Sequence, residues 1–548
     1  MRVVIIGGVA GGMSAATRLR RLNEKAEIIV LEKGPNVSFA NCGLPYHVSE
    51  EIEKREDLLV QTPGKLRSRF LLDVRPNNEA IKINSKEKQV VVRVGDEIYT
   101  LDYDKLILSP GAKPFIPLVA GLSEVKNVFT LRNMTDMDKI LSYINETNPK
   151  TAMVVGAGFI GLEMAESLVH RGIKVTIVER MHHVLSPFDE EMAAFVAKEL
   201  QGNGVNVLTS TSVTEFQDEG RTIVLEDGSH LEMDLVILSV GVHPENTLTT
   251  EAGIATGAGG GILVSENYET NIKDIFAIGD AILVKHFITK KEVLISLASP
   301  ANRQGRQVAD VISGLPRKNS GSLGTSIVRV FGKAAASTGL NERQLKIANL
   351  IYESVHVQGK NHASYFPNAT SIVLKLLFNP KTGDIYGAQA FGEDGVDKRI
   401  DILATAIRAG LKVEDLPELE FTYAPPFGSA KDIVNLVGYA ALNIIEGLSE
   451  TVQWHELKEK QAEGAFLLDV RNEKEFNNGT IKGAVNIPLN ELRNRLNELP
   501  IDRDIIVSCL SGQRSYIAER ILKQVGFKAK NLDGSFGLYS TVRPNEVI

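Results

Sequence analysis

The stretch that decides the fold is residues 152–179, which read AMVVGAGFIGLEMAESLVHRGIKVTIVE. An apolar strand enters a glycine turn (Gly156, Gly158, Gly161), a helical segment follows, and a second apolar strand ends at Glu179. In such a unit the first glycine permits the turn, the second lets the backbone approach a pyrophosphate, and the third lets helix pack on strand. The helix N-terminus adds N–H groups and a positive dipole. The stretch therefore predicts a dinucleotide site.

Glu179 bears on which nicotinamide nucleotide binds there. Its carboxylate would accept a hydrogen bond from a ribose 2′-OH and repel a 2′-phosphate, so the sequence favours NADH. Arg180, His182 and His183 follow closely and leave NADPH open as an alternative.

Residues 3–32 repeat the same order of elements and end in Glu32. Gly7 and Gly12 hold the first and third glycine positions, Val9 stands at the second, and Gly11 could supply the close backbone approach. A hydride needs a second, different acceptor nucleotide, so FAD is expected in this copy. Two copies predict an α/β protein with two Rossmann-like dinucleotide-binding domains.

Composition excludes several other classes of protein. The 548 residues carry 61 Lys+Arg against 68 Asp+Glu, a net charge of −7, which gives no basic footprint for nucleic acid. No apolar run reaches the roughly 18 residues of a membrane span. Only Cys42 and Cys509 are cysteines, so a disulfide framework is excluded and a reducing cytoplasm is expected. No cluster suggests a metal site.

The rest of the chain reads as two further domains. Strand-rich text after residue 320 and helical periods up to Ile445 predict an α+β domain with an antiparallel sheet. Glu446–Thr451 reads as a short linker, and alternating strands and helices then predict a small α/β domain with a core of its own. The expected limits are 1–113 with 245–320 for FAD, 114–244 for NADH, 321–445 for the α+β domain and 452–548 for the last.

SFANCGLPY around Cys42, together with both glycine turns, resembles the flavoprotein disulfide reductases, and within them the branch with a single active cysteine. The resemblance covers about residues 1–445 and makes the α+β domain a dimerisation domain, so a homodimer is expected. It implies FAD contacts at Gly7, Ala10, Gly11, Gly12, Glu32, Asn41, Cys42, Ser109, Gly111, Arg132, Asp280, Ala298 and Tyr423. It implies NADH contacts at Gly156, Gly158, Ile160, Gly161, Glu179, Phe188 and Gly241.

The last hundred residues resemble a rhodanese domain, on LDVR (468–471), GAVNIP (483–488) and the loop CLSGQRS (509–515). Cys509 before a short turn and a helix start near Arg514 predicts a thiol held by several backbone N–H groups, which would suit a persulfide. Leu510 replaces a common basic residue, which argues against thiosulfate as donor. The whole chain thus resembles the fused coenzyme A disulfide reductase–rhodanese enzymes, also described as NADH-dependent persulfide reductases.

Within that branch, Cys42 has no second cysteine nearby, so its partner in the oxidised state must come from elsewhere, and a small thiol or persulfide is the simplest source. Oxidases and peroxidases of the branch carry a histidine in the first glycine turn, where this chain has Ala10. Tyr365 and Tyr423 match two tyrosines of the coenzyme A disulfide reductases, and a phenol can protonate a leaving thiolate.

Ser14, Arg18 and Arg21 share one helical face, and this basic stripe suits the phosphates of coenzyme A. The other residues expected at the coenzyme A site are Ser38, Asn41, Asn302 and Lys431. The acceptor stays open among coenzyme A persulfide, polysulfide and coenzyme A disulfide, as do the sulfur donor and oxygen reactivity. Alternatives are a sulfurtransferase with an accessory reductase, an NADH oxidase and a redox-sensing binding module.

Overall fold

The computed structural model describes residues 1–548 and divides into two compact units, Met1–Arg180 with Gly204–Gly324, and Met181–Asn203 with Thr325–Ile548. The strands of the first unit are β1 (Arg2–Ile6), β2 (Glu27–Leu31), β3 (Asp73–Arg75), β4 (Glu79–Asn84), β5 (Gln89–Val94), β6 (Glu97–Asp102), β7 (Lys105–Leu108), β8 (Ala112–Pro114), β9 (Val128–Phe129), β10 (Thr151–Val155), β11 (Lys174–Glu179), β12 (Asn206–Thr209), β13 (Val213–Gln217), β14 (Thr222–Leu225), β15 (His230–Glu232), β16 (Leu235–Leu238), β17 (Val242–Pro244), β18 (Ile275–Ala277), β19 (Leu283–Lys285) and β20 (Glu292–Leu294).

The strands of the second unit are β21 (Ser326–Val330), β22 (Lys333–Gly339), β23 (Glu353–Lys360), β24 (Ser371–Phe378), β25 (Ile385–Gly392), β26 (Thr451–Val452), β27 (Phe466–Asp469), β28 (Val485–Asn486), β29 (Ile505–Ser508) and β30 (Ala529–Leu532). The helices of the chain are α1 (Ala10–Leu22), α2 (Leu44–Val48), α3 (Pro63–Phe70), α4 (Met134–Thr147), α5 (Phe159–His170), α6 (Glu190–Gly202), α7 (Thr247–Glu251), α8 (Ala298–Ile312), α9 (Glu342–Ala348), α10 (Val396–Ala409), α11 (Ile433–Ile445), α12 (Leu457–Ala462), α13 (Glu473–Asn477), α14 (Gln513–Gln524) and α15 (Ser535–Val542).

Two parallel five-stranded sheets form the first unit, in the orders β18-β7-β1-β2-β3 and β12-β11-β10-β16-β9. In each, the strand before the glycine turn is central and pairs in parallel with the strand that ends in the acidic residue. Such strands are buried on both faces and read as continuous apolar runs, as in β1. The repeat predicted from the sequence is confirmed.

The first unit also holds small antiparallel sheets, β4-β5-β6 and β13-β14-β15, and the two-stranded pairs β8-β17 and β19-β20. None of these small sheets was predicted from the sequence. In β5 buried residues alternate with more exposed ones, and Val90 and Val92 pack in the same apolar cluster as β1, so this sheet covers part of the first parallel sheet.

The second unit holds an antiparallel sheet, β21-β22-β25-β24-β23, which contacts α10 and α11. Strand β24 has the limits read from the sequence, Ser371–Phe378, and the predicted α+β fold is confirmed. A second, parallel sheet in the order β26-β30-β29-β27-β28 carries the C-terminal α/β fold, also as predicted. No helix of the chain is both long enough and apolar enough to cross a membrane.

The segment expected to be a linker packs against the C-terminal domain instead. Ser449 is buried, and its hydroxyl donates to Glu519 at 2.5 Å, while the Glu450 backbone N–H donates to the other oxygen of that carboxylate at 2.7 Å. The C-terminal domain has the expected core of its own, which includes Leu468, Val507 and Leu522, but a second apolar cluster extends beyond the domain. Phe195 of α6 packs in one apolar cluster with Trp454 and Tyr539 of the C-terminal domain.

Candidate active site

The first glycine turn is built as a close-packed cradle. Gly7 has φ +102°, and a Cβ on Gly12 would lie 1.9 Å from the Gly7 carbonyl oxygen, so both positions require glycine. The carboxylate of Glu32 accepts hydrogen bonds from the backbone N–H groups of Gly8 and Gly34, each at 2.9 Å. The acid at the end of β2 therefore holds the turn itself, in addition to the role expected of it toward a ribose.

The loops after β7 and β18 meet this turn. A Cβ on Gly11 would lie 2.9 Å from the Ser109 hydroxyl, and Gly111 has φ +73° beside the Arg132 guanidinium. Burial raises the pKa of Asp280, although the positive charge of Arg132 acts in the opposite direction. A dinucleotide here would meet a glycine backbone, a buried carboxyl and a guanidinium, a donor set that fits FAD. FAD supplies a carrier that accepts hydride and returns electron pairs to a disulfide.

Other residues expected to touch FAD are more exposed. Asn41 and Ala298 are accessible to solvent in the first unit, and Tyr423 belongs to the second unit. Ala10 is the first residue of α1. Their contacts with the cofactor stay predictions.

The second glycine turn repeats the construction. A Cβ on Gly161 would lie 2.0 Å from the Gly156 carbonyl oxygen, whereas a Cβ on Gly158 would meet nothing within 4 Å. In this motif the pyrophosphate of the dinucleotide occupies the space beside the second glycine. Glu179 accepts a hydrogen bond from the Ala157 N–H at 2.8 Å, as Glu32 does from its own turn.

Among the remaining residues expected at the NADH site, Ile160 is 39% exposed and Gly241 has φ +110° with open space around it. Phe188 is only 1% exposed and lies in the second unit. Its ring is a core side chain in this structure, and its contact with the nucleotide stays a prediction.

Cys42 lies in a short 3₁₀ helix, Asn41–Gly43, directly before α2. Its side chain is open to solvent, yet the surrounding protein raises the pKa of the thiol by burial, and the carboxylates of Glu163 and Asp280 raise it further. Ser38 has φ +48° and donates its N–H to the Gly8 carbonyl at 2.8 Å. This hydrogen bond joins the segment that carries Cys42 to the first glycine turn, and the chain's own charges favour the protonated form of the thiol.

The face expected to bind coenzyme A is partly occupied by the protein's own groups. Ser14 donates to Asn302 at 2.5 Å, and Arg18 forms an ion pair with the buried Asp310 at 2.6 Å. Arg21 is exposed and makes only a hydrogen bond to the carbonyl of Thr17. Arg21 is therefore the open cation of the three-residue stripe, and Arg18 is committed to Asp310.

Lys431, the remaining candidate for coenzyme A, is exposed and lies in the second unit, with its ammonium 5.9 Å from the ring centroid of Tyr439. Nothing in that contact prevents it from meeting a phosphate.

Tyr365 and Tyr423 lie together in the second unit, with their hydroxyl oxygens 2.9 Å apart. The hydrogen bond to Tyr423 raises the pKa of Tyr365. Both rings are exposed, at 73% and 48%, and Phe427 beside them is 71% exposed. The two phenols form one proton-donating pair on an open aromatic patch.

Cys509 follows β29 and is 1% exposed. Its sulfur accepts hydrogen bonds from the Gly512 N–H at 3.1 Å and from the Ser515 hydroxyl at 3.4 Å. The expected ring of several backbone N–H groups is therefore reduced to one, with a side-chain hydroxyl as the second donor.

Arg514 is the second residue of α14, and Glu475 holds its guanidinium through two hydrogen bonds, at 2.7 and 2.8 Å. These bonds lower the pKa of Glu475 to about 2, so the pair stays charged. Arg514 is paired with Glu475 and is therefore not a free cation, and the charges of Glu475 and of Cys509 both raise the pKa of its guanidinium.

Sequence reasoning missed three residues of this loop. Glu475 and Ser535 are distant in sequence from Cys509, and no motif marked them. Ser515 stood in the quoted stretch CLSGQRS, and a hydroxyl one residue after Arg514 was a usable signal. Ser535 accepts the Cys509 N–H at 3.2 Å and lies 3.1 Å from the Ser515 hydroxyl.

The chain belongs to the pyridine nucleotide-disulphide oxidoreductases, whose family model matches residues 1–305. The dimerisation domain of the same family matches residues 325–432, and a rhodanese-like domain matches residues 453–541. The cofactors are accordingly FAD and a nicotinamide nucleotide, and the enzyme is an oxidoreductase.

Individual proteins that are similar to this chain narrow the comparison further. The coenzyme A disulfide reductase of Staphylococcus haemolyticus is 34% identical over 81% of this chain and 100% of its own length. The crystal structure of reduced CoADR-RHD from Bacillus anthracis is similar at a TM-score of 0.98, with 50% identity, over 100% of this chain and 99% of that one. The structure of an NAD-dependent persulfide reductase from A. fulgidus is similar at a TM-score of 0.93, with 36% identity, over 98% of this chain and 100% of that one.

Proposed function

We propose that this chain is a cytoplasmic, homodimeric FAD enzyme that transfers electrons from NADH through Cys42 to a coenzyme A persulfide, a polysulfide or coenzyme A disulfide. Its rhodanese domain would handle the sulfane sulfur. The observation that carries the proposal is the distribution of thiols. The chain has two cysteines, one in the reductase part and one in the rhodanese domain. Cys42 lies in a segment bonded to the first glycine turn, and the sulfur of Cys509 accepts two hydrogen bonds.

The disulfide reaction balances with those groups. The Cys42 thiolate attacks one sulfur of coenzyme A disulfide, which forms a mixed disulfide and releases one coenzyme A thiolate. Two electrons from NADH then cleave the mixed disulfide, returning the Cys42 thiolate and the second thiolate. One NADH and one proton are consumed, and NAD⁺ and two thiols result.

With coenzyme A persulfide, the outer sulfur moves to Cys42 and coenzyme A leaves as its thiolate. Two electrons and one proton, which NADH supplies together, then cleave the Cys42 persulfide, release its outer sulfur as hydrogen sulfide and restore the Cys42 thiolate. Tyr365 and Tyr423 would donate a proton to the leaving thiolate, and the hydrogen bond that their exposed hydroxyls share supports this role.

A homodimer is favoured by the aromatic patch of the dimerisation domain. Tyr365, Tyr423 and Phe427 expose large apolar rings there, and contiguous exposed apolar surface marks an interaction site. NADH oxidase activity is disfavoured by Ala10, since the base expected for oxygen or peroxide chemistry is missing.

The test is steady-state NADH oxidation with coenzyme A disulfide, coenzyme A persulfide and oxygen side by side, in the wild type and in Cys42→Ser. We expect both sulfur substrates to be turned over and oxygen to be slow. Cys42→Ser should bind FAD yet lose turnover of both by about three orders of magnitude or more, because the nucleophile is gone. Disulfide turnover that survives in Cys42→Ser would refute the single-cysteine mechanism.

A further inference from the structure

A buried cluster of charges lies where the dimerisation domain meets the rhodanese domain within the second unit. The His356 ring is 1% exposed, its Nδ1 lies 2.6 Å from Asp533 Oδ2, and its Nε2 lies 3.1 Å from Glu191 Oε1. Asp533 also accepts the His356 backbone N–H at 3.0 Å. With a carboxylate at each ring nitrogen, both nitrogens donate and the ring carries a positive charge.

The charges around His356 support that assignment from every side. Lys375 is fully buried between Asp189, Glu191 and Glu342, and Trp454 donates its indole N–H to Glu191 at 3.3 Å. Burial alone would raise the pKa of Glu191, but Lys375 and His356 outweigh it and hold that pKa below its ordinary range. Burial acts to lower the pKa of His356, but Asp533 and Glu191 raise it to about 9.

Asp533 connects this cluster to the second thiol over a very short path. It is followed by Gly534 and Ser535, both at positive φ, +66° and +52°, a conformation that Ser535 adopts only when its surroundings hold it. Ser535 accepts the Cys509 N–H and contacts the hydroxyl of Ser515, which donates to the Cys509 sulfur.

The two residues after Ser535 form hydrogen bonds to the backbone of the Cys509 loop. The Phe536 N–H donates to the Cys509 carbonyl at 3.0 Å, and the Gly537 N–H donates to the Leu510 carbonyl at 2.9 Å. The orientation of the turn 533–537 therefore sets the position of both the backbone and the sulfur of Cys509.

We propose that the His356–Asp533 ion pair is a positioning element for sulfur transfer, by which the dimerisation domain fixes the turn that holds the Cys509 loop. The pair does not touch the sulfur and acts through Ser535 and Ser515. The inference rests on the proposed role of Cys509 as the thiol that accepts sulfane sulfur.

The test uses the full-length enzyme and the transfer of sulfur from polysulfide to cyanide. The Cys509 thiolate takes one sulfur from polysulfide, which is shortened by one atom, and cyanide removes that sulfur as thiocyanate. His356→Gln should lower kcat by about tenfold and leave KM for polysulfide within about twofold, since the loop is misplaced but still open to the donor. Asp533→Asn, which keeps the volume of the side chain, should have the same effect if His356→Gln folds poorly.

The matched control is Arg399→Gln. Arg399 forms an equally buried ion pair with Asp432 at 2.6 Å in the same unit, and neither residue is bonded to the turn 533–537. This variant should keep the wild-type kcat for sulfur transfer. The pH profile is the second readout: the wild-type kcat should fall as pH rises through about 9, and His356→Gln should lack that fall.

Wild-type kcat in both His356→Gln and Asp533→Asn would overturn the inference. An equal loss in Arg399→Gln would also overturn it, because the pair would then act only on stability. Failure of the proposed function is a separate result, since it would show as unchanged sulfur transfer in Cys509→Ser.

Discussion

Cys42 and Cys509 are the two thiols of the chain, and the protein surrounds them in opposite ways. Cys42 is open to solvent at its surface, and the pKa of its thiol is raised first by the partial burial of the group and then by the carboxylates of Glu163 and Asp280. Cys509 is buried, and a backbone N–H and a hydroxyl point at its sulfur. The chain thus provides the hydrogen bonds for one thiol itself and leaves the ionisation of the other to what binds beside it.

That contrast suits the two proposed tasks. A thiol that alternates between a bulky substrate and a cofactor needs access more than hydrogen bonds, because both partners bring charge and shape with them. A thiol that must hold a reactive persulfide needs donors that stay in place and water kept away.

The largest expected effect is that of Cys509→Ser, which should remove the function of one thiol and leave that of the other. It should reduce sulfur transfer from polysulfide to cyanide by roughly three orders of magnitude or more, because the accepting sulfur is lost. NADH-dependent reduction of coenzyme A disulfide should stay close to wild type, since the disulfide reaches Cys42 directly. Both rates are measured on the same preparation, and sulfur transfer to cyanide as fast as in the wild type would refute the role of Cys509 as the thiol that accepts sulfane sulfur.

The reductase side of this comparison was largely predictable from sequence. Glycine turns, the acids Glu32 and Glu179 and the apolar strands are local patterns, and local patterns determine local structure. The environment of Cys509 was not predictable to the same degree. Ser535 and Glu475 reach the loop only through the parallel order of the sheet, which no short motif encodes.

The union of the rhodanese and dimerisation domains was missed for a related reason. His356, Glu191 and Asp533 come from three distant parts of the chain, and each alone reads as an ordinary surface residue.

The second prediction concerns the stability that this union supplies. Asp533→Ala leaves a buried positive His356 with one carboxylate fewer, and it should lower the free energy of unfolding of the second unit by about 3–5 kcal/mol. Urea unfolding of the two proteins measures the difference. Asp504→Ala removes an exposed carboxylate of the same domain, 3.6 Å from Lys530, and should cost at most about 1 kcal/mol.

The sign of the pH dependence follows from the raised pKa of His356. Its contribution should be complete below the ordinary histidine pKa of about 6.5 and be lost as pH rises through about 9. The difference between wild type and Asp533→Ala should therefore shrink above pH 9. A constant difference up to pH 10 would show that the ring is neutral in the folded protein.

The smallest expected effect concerns how the substrate of Cys42 is bound. Arg21 is the open cation of the basic stripe, so Arg21→Ala should raise KM for coenzyme A disulfide by about tenfold, the value of one charge-assisted contact to a phosphate. KM for polysulfide at Cys509 should not change, because polysulfide has no phosphate. Arg18→Ala is the instructive partner variant: it leaves Asp310 buried with Arg317 alone, 3.1 Å away, and should destabilise the first unit as well as weaken binding. If Arg21→Ala raises both KM values equally, the basic stripe supports the first glycine turn and does not bind the phosphates of the substrate. The two thiols would then differ in their surroundings but not in the substrates that they recognise.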